Sequence, residues 1–233
     1  VISCKLIYQP LLIEPRGEVV TLTSSVDAEF NSDKNRPVLA ASFLELSSGT
    51  DFTVGVAHMK SKGSSCASCC NDPELDGVGN CNGVRTNGTE ALGRWMETVP
   101  TGISTPYVIL VGDFNAYRQE TPITTLVDGT STGYVDPIDL KVAASQRYTY
   151  TFDGQQGTLD YALVSAAVAP LVTGAGIWHI NADESRLLDY NIEYKTQEQQ
   201  TTMYAADAFR SSDHDPVVLG LAFPPPSPPP TSP

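Results

Sequence analysis

The chain has 233 residues, of which 41% are hydrophobic, and its 14 Lys and Arg stand against 27 Asp and Glu for a formal net charge of −13. A chain of this length and composition can bury one sizeable core, so a single domain is the expectation. The acidic balance excludes a uniformly basic face that holds nucleic acid through counterion release alone. A polyanionic substrate would instead have to be met locally, by a metal ion and a few well-placed cations.

The chain contains no run of eighteen or more apolar residues, so we predict that it does not span a membrane. Residues 1–8 lack the basic start and the small-residue cleavage site of a signal peptide. Residues 1–223 are expected to form one domain. The proline-rich residues 224–233 are expected to form an extended linker, with further domains beyond it.

Short apolar runs separated by turn signals predict a chain rich in strands. The predicted strands cover, in chain order, residues 5–8, 19–22, 38–46, 52–58, 107–111, 148–151, 159–164 and 217–223. Apolar residues at helical spacing predict a helix over about 83–98, with Trp95 in the core, and a shorter helix begins near Thr121. Strands with interspersed helices favour an α/β or α+β sandwich.

Four of the five cysteines fall within sixteen residues of a Gly/Ser/Asn-rich stretch, namely Cys66, Cys69, Cys70 and Cys81. Adjacent cysteines without repeated CxxC pairs fit structural zinc poorly, so disulfides are favoured over a zinc site. Four cysteines permit three connectivities. Because a polar, Gly-rich loop has little core of its own, we predict a Cys66–Cys81 disulfide that closes it, with the other two pairing elsewhere or remaining free.

A glycosylation sequon, Asn87-Gly88-Thr89, lies in the same polar region. Disulfides and a glycan both belong to an oxidising, extracellular setting. We therefore expect a secreted glycoprotein.

Polar residues gather in or at the ends of four predicted strands, which is where a sheet scaffold places chemistry. The clusters are residues 56–63 with His58, residues 112–116 with Asp113 and Asn115, residues 158–164 with Asp160, and residues 211–218 with Asp213 and His214. Each has a structural alternative, such as a turn-forming Asp113 or a satisfied structural His58. A carboxylate inside an apolar strand, as at Asp160, must be paired, hydrogen-bonded or metal-bound. Carboxylates that hold a hard cation, with histidines as acid or base, suit metal-assisted phosphoryl chemistry.

Three of these stretches resemble the motifs of the endonuclease/exonuclease/phosphatase superfamily, which includes deoxyribonuclease I and the apurinic endonucleases. They are GDFN at 112–115, TLDYAL at 158–163 and SSDHDPV at 211–217. A closer likeness is to bacterial extracellular nucleases of the ExeM type, carried by AHMKSKGSSC at 57–66, GNCNG at 79–83, IWHINADE at 177–184 and LDYN at 188–191. The resemblance implies a four-layer α/β/β/α sandwich with the site at one edge of its two sheets.

The resemblance also implies a role for each matching residue. His214 would be the general acid/base, and Asp160 would orient it. Asp213 and Asp113 would be metal ligands, and Asp113 with Asn115 would position the attacking water and the scissile phosphate.

Two further residues are implied as substrate contacts. His58 would contact the phosphate or assist the leaving group, and Arg36 would bind phosphate. The implied cofactor is Mg²⁺, with Ca²⁺ or Mn²⁺ as alternatives. The resemblance to nucleases favours DNA or RNA as the substrate.

One departure from the superfamily pattern concerns the N-terminus, where the Asn and the metal-binding Glu of the superfamily find no match before residues 7–8. We therefore expect an N-terminally truncated domain that is inactive as residues 1–233 alone. Because the superfamily also contains phosphatases and sphingomyelinases, the motifs specify the bond type better than the substrate. A catalytically inactive binding fragment is the alternative to an enzyme. The motifs assign no role to His179, Asp183 or Glu184, for which a structural role is expected.

Overall fold

The computed structural model describes residues 4–72, 77–128, 133–188, 192, 195–205 and 207–224. Two predictions fall largely outside them, the proline-rich linker from residue 225 onward and the LDYN stretch from residue 189 onward. No helix in the described part of the chain is long and apolar enough to cross a membrane.

The described chain contains nine strands and five α-helices. The strands are β1 (Ile13–Leu22), β2 (Val38–Glu45), β3 (Thr50–His58), β4 (Val108–Asp113), β5 (Tyr150–Phe152), β6 (Gln155–Gly157), β7 (Asp160–Val164), β8 (Val172–Ile177) and β9 (Val217–Leu221). The helices are α1 (Ala67–Cys70), α2 (Asn82–Glu97), α3 (Thr121–Val127), α4 (Pro137–Lys141) and α5 (Gln197–Thr202).

Five strands form the main sheet, in the order β1-β2-β3-β4-β7. All neighbours are antiparallel except β3 and β4, which run parallel and are joined by a crossover through α2. Such a crossover is what a parallel pair requires. Its consequence is that β3 and β4 end side by side at one edge of the sheet.

One face of the main sheet packs against helices. Leu92, Trp95 and Met96 of α2 and Ile123 of α3 belong to the same buried cluster as Leu110 of β4. The helical spacing of the α2 residues is what turns one stripe of that helix towards the sheet. The predicted core position of Trp95 is confirmed, since the residue is buried.

The opposite face of the sheet carries a second apolar cluster, in which Phe43, Phe52 and Ile109 pack with Leu219 and Leu221 of β9. Strand β9 pairs with β8 in a separate two-stranded sheet. The layers are thus helices, main sheet and a second sheet, which confirms the predicted α/β sandwich class.

Most predicted strands and both predicted helices are present, but the predicted strand at residues 5–8 is wrong. These residues have no regular secondary structure, and Ile7 is 95% exposed. An apolar run does not show whether a neighbouring strand is available, and a strand forms only where its backbone can pair with one. Strand β8 was missed because the two glycines in its VTGAGI sequence weaken the strand pattern.

The polar cysteine stretch leads from β3 to α2. Cys66 and Cys81 are joined by a disulfide and are both fully buried. Cys69, Cys70 and Cys4 have free thiols. The sequon at Asn87 lies inside α2, within the predicted helix, and Asn87 is exposed.

Candidate active site

Three candidate residues form a row across the adjacent ends of three strands. His58 closes β3, Asp113 closes β4 and Asp160 opens β7. In the strand register His58 is opposite Asp113, and Asp113 is opposite Asp160. Because β7 is antiparallel to β4, its first residue meets the last residue of β4. The sheet therefore brings together residues that are up to 102 positions apart in the chain.

Gly112 allows the backbone to reach this row. Its φ of +134° is a conformation that L side chains rarely adopt, and a Cβ there would overlap the carbonyl oxygen of Ala57. Glycine is required at this position because β4 lies close against β3. The first residue of the GDFN sequence thus has a steric function.

Asn115 holds the carboxylate of Asp113. Its backbone N–H donates to Asp113 Oδ1 at 2.8 Å and its side-chain Nδ2 donates to Oδ2 at 2.7 Å. The same Nδ2 also donates to the carbonyl of Met59 at 3.1 Å. Because Met59 directly follows β3, this bond ties the turn after β4 to the end of β3. Asn115 itself is buried and has a positive φ of 49°.

His214 reaches the row from the segment that precedes β9. Its Nδ1 lies 2.7 Å from Asp160 Oδ2. The ring of Tyr150 on β5 covers the imidazole, with 4.6 Å between the centroids and 35° between the planes. The carboxylate and the aromatic ring together fix the orientation of His214 and leave Nε2 for chemistry.

Arg36 and His58 lie on the other side of Asp113. His58 Nε2 is 3.4 Å from Asp113 Oδ2, and the carbonyl of His58 accepts a hydrogen bond from the Arg36 backbone N–H at 3.3 Å. Burial first, then the charges of Arg36 and His214, lower the pKa of His58 to about 4. His58 is therefore neutral at neutral pH.

The two histidines differ in charge. Burial opposes protonation of His214, but the hydrogen bond and charge of Asp160, with Asp113 and Asp213, raise its pKa to about 9. Burial first, and then the neighbouring Asp160 charge, raise the pKa of Asp113 to about 7. The site thus pairs a charged His214 with a neutral His58, as acid–base chemistry needs.

A hard divalent cation fits this row. Donor atoms of Asp113, Asp160 and His214 lie within 4.8 Å of one another. Two carboxylates directly opposite each other on neighbouring strands repel, and Asp113 is largely withdrawn from solvent, so a cation between them would relieve both costs. Oxygen donors of this kind suit Mg²⁺, Mn²⁺ or Ca²⁺.

Asp213, the other predicted metal ligand, is not part of that group of three. It precedes His214 directly, and its charge acts on His214 and Tyr150. The structure therefore places Asp213 beside the row and not within it.

A second His–Asp pair, which no feature of the sequence identifies as a pair, lies next to the first. His179 Nδ1 is 2.9 Å from Asp215 Oδ2, and its ring stacks on Tyr148 with 4.0 Å between centroids. The Tyr148 hydroxyl donates to Asp183 at 2.6 Å. These contacts place His179 and Asp183 of the IWHINADE stretch beside Asp215, the residue that directly follows His214.

Asp215 anchors the turn that follows His179. Its Oδ1 accepts hydrogen bonds from three successive backbone N–H groups, those of Ile180, Asn181 and Ala182, at 3.1, 2.8 and 2.9 Å. Asn181 Nδ2 in turn donates to the carbonyl of His214 at 2.7 Å. In the sequence, the second Asp of SSDHDPV is the one feature that points to Asp215. Nothing in the sequence identifies the backbone groups that this carboxylate binds.

Comparisons with known proteins agree on the fold. No protein-family model and no curated protein matches the sequence. Among solved structures, a mannosyl-6-phosphatase from Bacteroides thetaiotaomicron is 18% identical and has a TM-score of 0.59, over 93% of this chain and 69% of its own. An endonuclease/exonuclease/phosphatase from Bacteroides vulgatus is 14% identical with a TM-score of 0.55, over 92% and 69%.

A third structure, an endonuclease/exonuclease/phosphatase family protein from Bacteroides thetaiotaomicron, is 16% identical with a TM-score of 0.52, over 73% of this chain and 57% of its own. The chain thus spans 57–69% of the length of these three structures. It has the fold of the endonuclease/exonuclease/phosphatase proteins, as the motifs predict.

Proposed function

We propose that this domain belongs to a secreted, divalent-metal-dependent phosphodiesterase that hydrolyses DNA or RNA. The observation that carries the proposal is the row formed by His58, Asp113 and Asp160, closed by His214 at 2.7 Å from Asp160. A row of this kind can hold a cation, bind a phosphate and transfer a proton at one place.

Each residue has a role that follows from its surroundings. His214, held charged by Asp160, keeps a proton at Nε2 for the leaving oxygen. Asn115 fixes the Asp113 carboxylate, which can accept a hydrogen bond from an attacking water. Arg36 and the neutral His58 donate to phosphate oxygens at the outer side of the row.

The cation would be held by Asp113 and Asp160, with Asp213 beside them. When bound, it would neutralise phosphate charge and lower the pKa of a bound water. Mg²⁺ is the proposed ion, and Mn²⁺ and Ca²⁺ are tested alongside it.

A phosphomonoesterase is the second candidate. It is favoured by the mannosyl-6-phosphatase, whose fold resembles this chain with a TM-score of 0.59. The same row of side chains suits phosphate monoesters as well as diesters, so the geometry of the charged groups leaves both open. The sphingomyelinase-like and inactive-fragment alternatives are separated by the same assay.

The experiment compares hydrolysis of plasmid DNA, single-stranded RNA, mannose 6-phosphate and sphingomyelin in Mg²⁺, Mn²⁺ or Ca²⁺ and in excess EDTA. It uses the 233-residue chain and, where the gene encodes residues upstream of Val1, a version extended by them. We expect cleavage of nucleic acid by the extended version, abolished by EDTA, and little turnover by the shorter one.

Three outcomes contradict the proposal. Undiminished cleavage in EDTA contradicts the metal, and turnover of mannose 6-phosphate alone or of sphingomyelin alone supports the phosphomonoesterase or the sphingomyelinase-like alternative, respectively. Binding of DNA by both versions without turnover supports the inactive fragment. A variant carrying His214→Ala identifies background from contaminating nucleases, because such background would survive the substitution.

A further inference from the structure

Two neighbouring cysteines outside the candidate active site bring their sulfur atoms together. Cys69 and Cys70 are the last two residues of α1, and their Sγ atoms lie 2.6 Å apart. Successive residues on a helix do not normally face each other. Here both side chains turn towards one side, where Cys69 is exposed and Cys70 is half-buried.

A buried disulfide holds the chain just before the helix that carries this pair. Cys66, which precedes α1, forms the disulfide to Cys81, and both are fully buried with Val84. The sulfur of Cys66 lies within 4.8 Å of those of Cys69 and Cys70, but it is already used in the disulfide. The thiols of Cys69 and Cys70 therefore lie together on a helical turn that the disulfide holds in place. The sulfur of Cys66 is not available as a third thiol.

Closure of this pair into its own disulfide is disfavoured by geometry. Neighbouring Cα atoms are about 3.8 Å apart across a trans peptide. Disulfides usually need Cα atoms about 4.4–6.8 Å apart, and a disulfide outside that range is strained and easily reduced. A Cys69–Cys70 disulfide would therefore be strained, and a mild reductant would convert it to the dithiol.

Polar neighbours and open space favour a ligand at this dithiol. Asn31 Nδ2 donates to Cys70 Sγ at 3.4 Å. The hydrogen bond from Cys70, followed by the contribution of Lys34, lowers the pKa of Cys69, whereas the same hydrogen bond, followed by burial, raises the pKa of Cys70. A cleft of about 390 Å³ opens beside Cys70, between Glu29 and the start of α2.

We propose that Cys69 and Cys70 form a vicinal dithiol site that binds a soft, thiophilic, three-coordinate ion, of which trivalent arsenic is the type. Thiolates are the ligands that soft ions prefer. Zinc fits less well, because it would need four ligands and the cation-binding group in the described residues contains only these two cysteines and the disulfide-bonded Cys66. The cleft leaves room for the third substituent of the ion.

The reaction with an arsenoxide is balanced without an oxidant. Two thiols lose their protons to the oxygen of R–As=O, two As–S bonds form, the As=O bond breaks and one water leaves. The arsenic remains trivalent and the Cys66–Cys81 disulfide is unchanged. The site is independent of the proposed hydrolase activity.

The test uses the 233-residue chain with phenylarsine oxide as the probe. The adduct is measured by intact mass and by competition with a monothiol, and peptide mapping locates it. We expect one adduct on the wild type that bridges Cys69 and Cys70. Cys69→Ser and Cys70→Ser should each bind at least about tenfold more weakly, because single-thiol attachment loses the effective concentration of the second sulfur.

Cys4→Ser is the matched control, since it removes a free thiol at another place and should leave the adduct unchanged. Unchanged binding in both serine variants overturns the proposal. An adduct that contains Cys66 or Cys81 also overturns it, as does a Cys69–Cys70 disulfide that resists mild reductant in the isolated chain. Circular dichroism of each variant establishes that a weaker adduct does not reflect unfolding.

Discussion

Asp113 and Asp160 face each other directly across β4 and β7, as the last and the first residue of their strands. Asn115 holds the first carboxylate by two hydrogen bonds, and His214 is bonded to the second. Two negatively charged carboxylates held directly opposite each other destabilise the folded protein unless a cation lies between them. This relationship links the fold to the proposed metal.

Replacing either carboxylate of this pair should weaken metal binding. We expect Asp113→Asn and Asp160→Asn each to reduce Mn²⁺ affinity at least about tenfold, because loss of a metal-site group typically costs about 10–100-fold. Isothermal titration calorimetry of the chain measures the affinity. Asp153→Asn, an exposed acid on the β5–β6 turn, is the control and should bind as the wild type does. Equal Mn²⁺ affinities for the wild type and the three variants would mean that the ion binds elsewhere.

His214 and Asp160 should behave as one catalytic unit. In the version of the protein that turns over, we expect His214→Ala and Asp160→Asn each to reduce kcat by about 10²–10⁴-fold. At saturating Mg²⁺, where weaker metal binding by Asp160→Asn no longer limits the rate, the double variant should be little slower than His214→Ala, since the carboxylate acts on the rate through the imidazole. Initial rates on the preferred substrate measure the effect. A double variant that shows the product of both losses would mean that the two residues act separately.

Asp215 should be a stability residue. Asp215→Ala leaves three backbone N–H groups and the His179 ring without their acceptor, and a buried donor left unpaired costs about 1–3 kcal/mol. We expect urea denaturation to show a loss of at least about 3 kcal/mol in the free energy of unfolding. Asp213→Ala, two positions earlier and only half-buried, should change it by less than about 1 kcal/mol. Similar losses in the two variants would refute the anchor.

Gly112 should tolerate no side chain. Gly112→Ala requires a positive φ and overlaps the Ala57 carbonyl, and we expect it to destabilise the fold by at least about 2 kcal/mol. Gly174→Ala on β8 is the matched control, because a Cβ there meets no atom within 4 Å. Thermal melts in EDTA compare the two. A Gly112→Ala protein as stable as the control would contradict the close approach of β3 and β4.

Asp136 should make stability depend on pH between about 4 and 6. It caps α4 by accepting a hydrogen bond from Ile138 N–H at 2.9 Å, and burial raises its pKa to about 6. The folded pKa lies above the unfolded value, so the stabilisation is fully present below about pH 4 and is lost as the pH rises through about 6.

Asp136→Asn tests this, because Asn is as good an N-cap but does not titrate. Urea denaturation of both proteins at several pH values should show the variant gaining stability relative to the wild type from pH 4 to pH 7. The gain is on the order of 1.4 kcal/mol for each unit of pKa shift. Parallel stability profiles would mean that Asp136 titrates normally in the folded state.

The sequence by itself determined the class of the fold and the candidates for the chemistry. Apolar periodicity is a local property, so β2, β3, β4 and α2 could be predicted within a few residues. An acidic residue inside an apolar strand, such as Asp160, indicates a carboxylate that is paired, hydrogen-bonded or metal-bound, because burial of an uncompensated charge is costly. These signals need no knowledge of what lies across the sheet.

Only the tertiary structure decided which residues meet. The order β3-β4-β7 is a matter of pairing between distant segments, and it places Asp113 between His58 and Asp160. The same holds for His179, whose partner Asp215 is 36 positions away. Strand register and side-chain contacts arise from packing between segments far apart in the chain, and one sequence read locally does not contain that geometry.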